Sequence, residues 1–321
     1  MKALVWDGNE ASVRKHPEPQ LRTEDEAIVS VSLAGVCATD LEITRGYMDY
    51  RGVLGHEFVG RVETGPADWL GARVVGEINV ACGDCEVCAA GNPRHCPTRS
   101  VIGIQNHDGV FAERVSIPVS NLHRVPDDVP DEAAVFTEPL AAAFEILEQV
   151  SIAPDTPCLV FGDGRLGQLI SQVLATTGAR VTTVGRHRNK LDMLAARGIA
   201  TLTQDEFEAS PLRAPVVVEA TGTAVGFTRA MAATSPRGTL VLKSTVADAP
   251  ALDLAPLVIH EINVVGSRCG PFPPALGALA SGTVDVTDLV SARFPLSRAA
   301  DALAHARTPG VLKVLIEPPA Q

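Results

Sequence analysis

Four cysteines fall within one short loop, Cys82-Gly-Asp-Cys-Glu-Val-Cys-Ala-Ala-Gly-Asn-Pro-Arg-His-Cys96, and this spacing limits what residues 82–96 can become. Four thiolates this close fit one tetrahedral Zn2+, and a loop that wraps an ion leaves little chain to order. Four sulfurs also fill the coordination shell. No position remains for a substrate, so the expected role of this ion is structural. A pair of disulfides is the competing arrangement, but cysteines separated by two residues would close short, awkward rings, and nothing marks the chain as secreted.

At 321 residues, 46% hydrophobic and 20% charged, the chain is long for one core and suits two globular domains without disordered tracts. Its formal net charge of −11 argues against a general nucleic-acid partner. The start, Met1-Lys-Ala-Leu-Val-Trp-Asp7, enters an alternating strand-like pattern at once and lacks the long apolar segment of a signal peptide or membrane helix. A soluble, cytoplasmic protein with no membrane partner is expected. No repeat of useful length suggests a solenoid or propeller.

The pattern changes near residue 150. Earlier runs such as Ala27-Ile-Val-Ser-Val-Ser-Leu33 and Gly60-Arg-Val-Glu63 are short, β-rich and broken by Gly, Pro and Asp turns, which predicts a barrel-like β domain. From Cys158 onward, strand-like runs alternate with helical ones: Cys158 to Phe161, Leu166 to Thr177, Arg180 to Val184, Lys190 to Arg197 and Val216 to Glu219. That alternation predicts an α/β fold with a parallel sheet. A helix from Phe227 to Thr234, strands at Thr239 to Leu242 and Ile262 to Val265, and a strand from Val311 to Ile316 that returns to the first domain complete the expectation.

The first α/β turn carries a nucleotide signal. Leu159-Val-Phe-Gly-Asp-Gly-Arg-Leu-Gly167 sets Gly162, Gly164 and Gly167 in a G-x-G-x-x-G turn after a strand, with Arg165 and Leu166 opening the helix. The first glycine permits the tight turn, the second admits a pyrophosphate to the backbone, and the third lets helix and strand pack closely. At the end of the next strand an NAD-binding chain usually places Asp or Glu to accept the ribose hydroxyls, but this one reads Val184-Gly-Arg-His-Arg188. Gly185 leaves room, and Arg186 or Arg188 suits a 2′-phosphate through a bidentate guanidinium contact. NADP is favoured over NAD, with Arg186 the better candidate. A basic helix start that is merely solvated is the alternative.

Further metal-ligating residue types are dispersed through the β half. Gly35-Val-Cys-Ala-Thr-Asp40 offers Cys37, Gly55-His-Glu-Phe58 offers His56, and Phe136-Thr-Glu-Pro-Leu140 offers Glu138. Such a set would leave one position open for water or substrate. Singly, each is equally well a small core residue, a satisfied polar group or a helix-start acid. Spacing alone does not join them.

Taken in order, Gly-x-Cys-x-Thr-Asp, Gly-His-Glu, the four-cysteine lobe, Thr-Glu-Pro-Leu and the glycine turn resemble the zinc-dependent medium-chain dehydrogenases/reductases across nearly the whole chain. The likeness is to the alcohol, polyol, sugar and threonine dehydrogenase branch rather than the zinc-free reductases, which lack the lobe and the ligands. It implies a GroES-like, β-rich catalytic domain over 1–147 carrying the lobe, a Rossmann cofactor domain with a doubly wound parallel sheet over 148–267, and a return to the catalytic domain over 268–321. It further implies that Cys37, His56 and Glu138 hold a catalytic zinc, that Asp40 orients His56, and that Glu57 approaches or replaces water on the metal. Thr39 becomes the hydroxyl that relays the substrate proton, and Glu42 stands where some relatives use a histidine farther along that relay. Thr221, in Glu219-Ala-Thr-Gly222, and Arg268, in Gly266-Ser-Arg-Cys-Gly270, are weaker cofactor contacts, with ordinary turn roles as the alternative.

The activity implied is reversible, zinc-assisted hydride transfer between a nicotinamide cofactor and a small alcohol or carbonyl substrate. Glu138 tilts the expectation towards polyols and sugars, with threonine 3-dehydrogenase chemistry or a simple secondary alcohol as runners-up. A nonenzymatic NADPH-binding homologue is the alternative of another class. The resemblance also implies that the strand Ile262 to Val265 lies at a sheet edge that pairs across subunits, so a homodimer or homotetramer is expected.

Overall fold

The alternation at the start of the chain becomes β1 (Lys2–Trp6), paired antiparallel with β2 (Ala11–Lys15). The longest strand, β3 (Glu26–Gly35), buries most of both faces and leads into the short helix α1 (Ala38–Ile43). Strand β4 (Gly52–Val53) closes the small first sheet against β1. Strand β5 (Glu57–Thr64) extends the larger one antiparallel to β3, and β6 (Arg73–Gly76) follows antiparallel to β5. The two-residue strands β7 (Asn79–Val80) and β8 (Ser100–Val101) pair across the base of the cysteine loop, which carries α2 (Glu86–Ala89). Next come β9 (Arg114–Pro118) on β3, β10 (Leu122–Arg124) on β6, and the helices α3 (Asp131–Ala134) and α4 (Thr137–Gln149).

The alternating half forms one six-stranded, all-parallel sheet from β11 (Pro157–Phe161), β12 (Arg180–Gly185), β13 (Ala200–Thr203), β14 (Ala214–Glu219), β15 (Thr234–Leu242) and β16 (Asn263–Gly266). Its order, β13-β12-β11-β14-β15-β16, is that of the doubly wound dinucleotide-binding sheet. Helix α5 (Arg165–Ala175) buries Leu169, Ile170, Val173 and Leu174, as an apolar stripe at helical spacing must. The remaining helices of this half are α6 (Arg188–Ala195), α7 (Gln204–Ala209), α8 (Ala224–Ala233), α9 (Ala255–Ile259) and α10 (Phe272–Ala280).

After it, β17 (Val290–Pro295), α11 (Ala299–Ala306) and β18 (Lys313–Glu317) return the chain to the larger sheet that holds β3. There β18 lies between β3 and β17. This computed structural model describes residues 1–244 and 252–319. It divides into Met1–Glu138 with Leu289–Gln321, and Pro139–Asp288.

Both boundaries differ from the expected 147/148 and 267/268. Helix α4 begins in one unit and continues into the other. Residues 268–288 stay with the second unit because α10 buries Phe272, Ala275, Leu276 and Ala278 and because Gln172 exchanges two hydrogen bonds with the Asp285 backbone.

Candidate active site and metal centres

In the cysteine loop, Cys85 starts α2 and Cys96 ends a single turn at Pro93–His95. Among residues 82–98 only Cys96 is buried, so apolar packing cannot be what holds this loop. The sulfurs of Cys85 and Cys88 lie 3.5 Å apart, Cys96 and Cys82 3.5 Å, Cys85 and Cys96 3.9 Å, and Cys82 and Cys88 4.0 Å. Tetrahedral coordination at about 2.3 Å per Zn–S bond separates sulfurs by roughly 3.8 Å. The set fits zinc and is far too wide for a disulfide. The Cys82 backbone N–H and the Thr98 hydroxyl hold the Cys96 thiol down to about 6, while burial and the neighbouring Cys85 sulfur push the Cys88 thiol up to about 12.

The second cluster is assembled by strand register. Gly35 at the end of β3 pairs with Glu57 at the start of β5, and it also pairs with Leu315 of β18. Cys37, two residues past Gly35, and His56, one before Glu57, therefore meet at the same end of the sheet. Ligand atoms of Cys37, His56 and Glu57 all lie within 4.8 Å of one another.

Asp40 is fully buried in the first turn of α1. Its Oδ2 accepts the Cys37 backbone N–H at 2.8 Å, and its Oδ1 stands 3.3 Å from His56 Nδ1. Burial alone would push the His56 imidazole down, but the charges of Asp40 and Cys37 reverse this and hold it well above the usual histidine range. The same negative field suits a metal cation. Thr39 Oγ1 lies 3.8 Å from Cys37 Sγ. Glu42, farther along α1, is taken up by an ion pair with Arg45 at 2.7 Å.

One feature of this cluster, the buried cation beside Glu57, is absent from the sequence expectation. The carboxylate grouped with Cys37 and His56 is that of Glu57, whereas Glu138 sits in the first turn of α4 and is not in the group. Glu57 is also ion-paired to Lys313 of β18, with both side chains 0% exposed. The Lys313 ammonium lies 5.2 Å from the centroid of the Phe136 ring. A Cβ at Gly35 would come within 2.6 Å of Glu57 Oε2 and 3.3 Å of Lys313 Nζ. A side chain at position 35 would push the Glu57 carboxylate out of its present place.

At the glycine turn, Gly162 takes a φ of +128°, and a Cβ on Gly167 would lie 1.9 Å from the Gly162 carbonyl oxygen. A Cβ on Gly164 would meet nothing within 4 Å. This is the open cradle that a pyrophosphate needs at the start of a helix, with Arg165 and Leu166 as its first residues. Thr221 donates its backbone N–H and its hydroxyl to Glu219 Oε1, each at 2.6 Å. Arg268 is exposed, and its carbonyl accepts from Lys243.

Of the two arginines after β12, Arg188 pairs with Glu206 at 2.6 Å. Arg186 is exposed and makes no ion pair among the described residues. The room expected at Gly185 is not open. A Cβ there would lie 2.5 Å from Asp163 Cβ.

Residues 23–127 match the family described as the alcohol dehydrogenase GroES-like domain, and residues 166–281 match that described as zinc-binding dehydrogenase. A sorbitol dehydrogenase from Halalkalibacterium halodurans is 28% identical, with 99% of each chain covered. A solved structure from Sinorhizobium meliloti 1021, named as a zinc-binding dehydrogenase bound to NADP, is 27% identical with a TM-score of 0.89, covering 99% of each chain. A second, from E. coli CFT073, is named as a short chain alcohol dehydrogenase complexed with NADH. It is 26% identical with a TM-score of 0.88, again over 99% of each chain.

Proposed function

The chain belongs to the zinc-dependent medium-chain dehydrogenase/reductase family and is an oxidoreductase; we propose that it acts on a secondary alcohol group of a polyol, sugar or similar small polar molecule. The observation that carries this reading is the meeting of Cys37, His56 and Glu57 in front of the buried Asp40. The sorbitol dehydrogenase likeness supports the substrate class.

When bound, zinc supplies Lewis acidity at the alcohol oxygen and the nicotinamide accepts hydride. Cys37 and His56 hold the ion, and Asp40 turns the imidazole so that Nε2 is left for the metal. Glu138 completes the set as the resemblance implies, while Glu57 is the neighbouring carboxylate, restrained by Lys313. The Thr39 hydroxyl takes the substrate proton and passes it towards solvent. Cys82, Cys85, Cys88 and Cys96 hold a structural zinc in place of a local core.

For the cofactor, Gly162, Gly164 and Gly167 seat the pyrophosphate. Arg186, without an ion pair among the described residues, favours NADP, and Thr221 and Arg268 are further contacts. A homodimer joined through the edge strand β16 is supported by exposed Val264 on that strand and by Val258 and Ile259 on α9, 79% and 71% exposed. No helix among the described residues is long and apolar enough to cross a membrane. The thiol-rich zinc chemistry suits the reducing cytoplasm.

Turnover of a panel of polyols, sugars, threonine and simple secondary alcohols with NADP and with NAD tests the reading. Oxidation of polyols or sugars with NADP is expected; zinc and cofactor binding without turnover on any member would overturn it. In the same assay Thr39→Val is expected to slow turnover by about a hundredfold with zinc content unchanged. Unaltered turnover would remove Thr39 from the relay.

A further inference from the structure

The second residue of the glycine turn, Asp163, is only 7% exposed, although it lies in a loop between β11 and α5. Its Oδ2 accepts the backbone N–H of Arg186 at 2.8 Å and that of His187 at 2.6 Å, and lies 2.9 Å from His187 Nδ1. One carboxylate oxygen thereby ties two consecutive residues after β12 to the turn after β11. Parallel pairing of Phe161 with Val184 brings the two strand ends together.

The same side chain occupies the space beside Gly185. A Cβ at 185 would lie 2.5 Å from Asp163 Cβ, 2.8 Å from its Cγ and 2.8 Å from its Oδ2. An acid at 163 and any side chain at 185 therefore exclude each other. Position 185 is where a dinucleotide fold usually places the acid that binds the ribose hydroxyls. Here a carboxylate enters that region from the first turn instead, and its Oδ2 is committed to peptide and imidazole donors. Those peptide N–H groups, at the start of α6, are in turn not offered to an anion. Recognition of a 2′-phosphate falls to side chains, and Arg186 is the exposed guanidinium without an ion pair among the described residues.

We infer that Asp163 is a positioning residue for cofactor choice: it fixes the backbone from which Arg186 reaches a 2′-phosphate, and it bars the ribose-binding acid from position 185. This inference rests on the NADP reading of the same site.

The test measures binding of 2′,5′-ADP and of ADP to the full-length protein, wild type and variants, by calorimetry, with thermal melting alongside. Wild type is expected to bind 2′,5′-ADP at least about tenfold more tightly than ADP. Asp163→Ala is expected to bring that ratio down to the ratio of Arg186→Ala, with ADP affinity changed by less than about threefold. Asp163→Asn keeps an oxygen acceptor for the peptide groups and is expected to retain most of the ratio. Should the alanine variant melt too early to assay, the double variant Asp163→Gly/Gly185→Asp, which removes the Cβ that lies 2.5 Å from a Cβ at 185, is expected to bind NADH more tightly than NADPH, and an unchanged preference would overturn the role of Asp163. A ratio unchanged in Asp163→Ala, or equal loss of both ligands, overturns the role of Asp163 while the NADP reading stands. A wild type with no preference for 2′,5′-ADP overturns the NADP reading and the inference with it.

Discussion

Replacing Cys37 by serine is expected to cut alcohol oxidation by about a thousandfold or more and to lower bound zinc by about one ion per chain. A serine hydroxyl is a poor ligand at neutral pH because it stays protonated, whereas a thiol beside a metal ionises readily. The local backbone should hold, since the residue 37 N–H is fixed by Asp40 Oδ2 and that bond does not involve the sulfur. The lobe sulfurs form a separate group and should keep their ion. Elemental analysis and turnover on the same preparation check this. Full activity would sink the ligand assignment, and loss of both ions would point to a damaged fold.

The second large effect concerns stability. Lys313→Met is expected to destabilise the protein by about 3–5 kcal/mol in urea unfolding, because it strands the Glu57 carboxylate in the interior. Both side chains are fully buried, so water cannot take the place of the ammonium. Adding Glu57→Gln to Lys313→Met removes the uncompensated charge and should restore most of the loss. A single-variant cost below about 1 kcal/mol would mean that the pair is not coupled in this way.

Much of this fold was legible because its signals are local. The parallel half announces itself through apolar strands between amphipathic helices, and the lobe through cysteine spacing. Strand β13 and helix α7 escaped notice because Ala200–Thr203 is a short edge strand with no buried residue. The readable cue was the capping box in which Thr203 accepts from Glu206 N–H and Glu206 answers the Thr203 N–H.

The site was legible only in part, since it depends on register. Cys37 and His56 are joined by the pairing of Gly35 with Glu57, which resemblance supplied and spacing did not. Lys313 was not singled out, because a lysine in an apolar strand gives no sign of a buried partner far away in sequence. Pairing of Leu315 with Gly35 is what delivers it. The motif gives Asp163 no role of its own and lets Gly185 pass for open room, because the contact between them crosses neighbouring strands.

The place of β18 between β3 and β17 also orders the protein's manufacture. All six strands of the parallel sheet lie within the continuous stretch 139–288 and can assemble as soon as that stretch leaves the ribosome. The first unit cannot. The Ala34–Gly35 end of β3 waits for Leu315 and Ile316, an interval on the order of tens of seconds at ordinary translation rates. During that time a nascent chain carries an open strand edge and Glu57 without its cation. The half that holds the metal ligands is begun first and finished last.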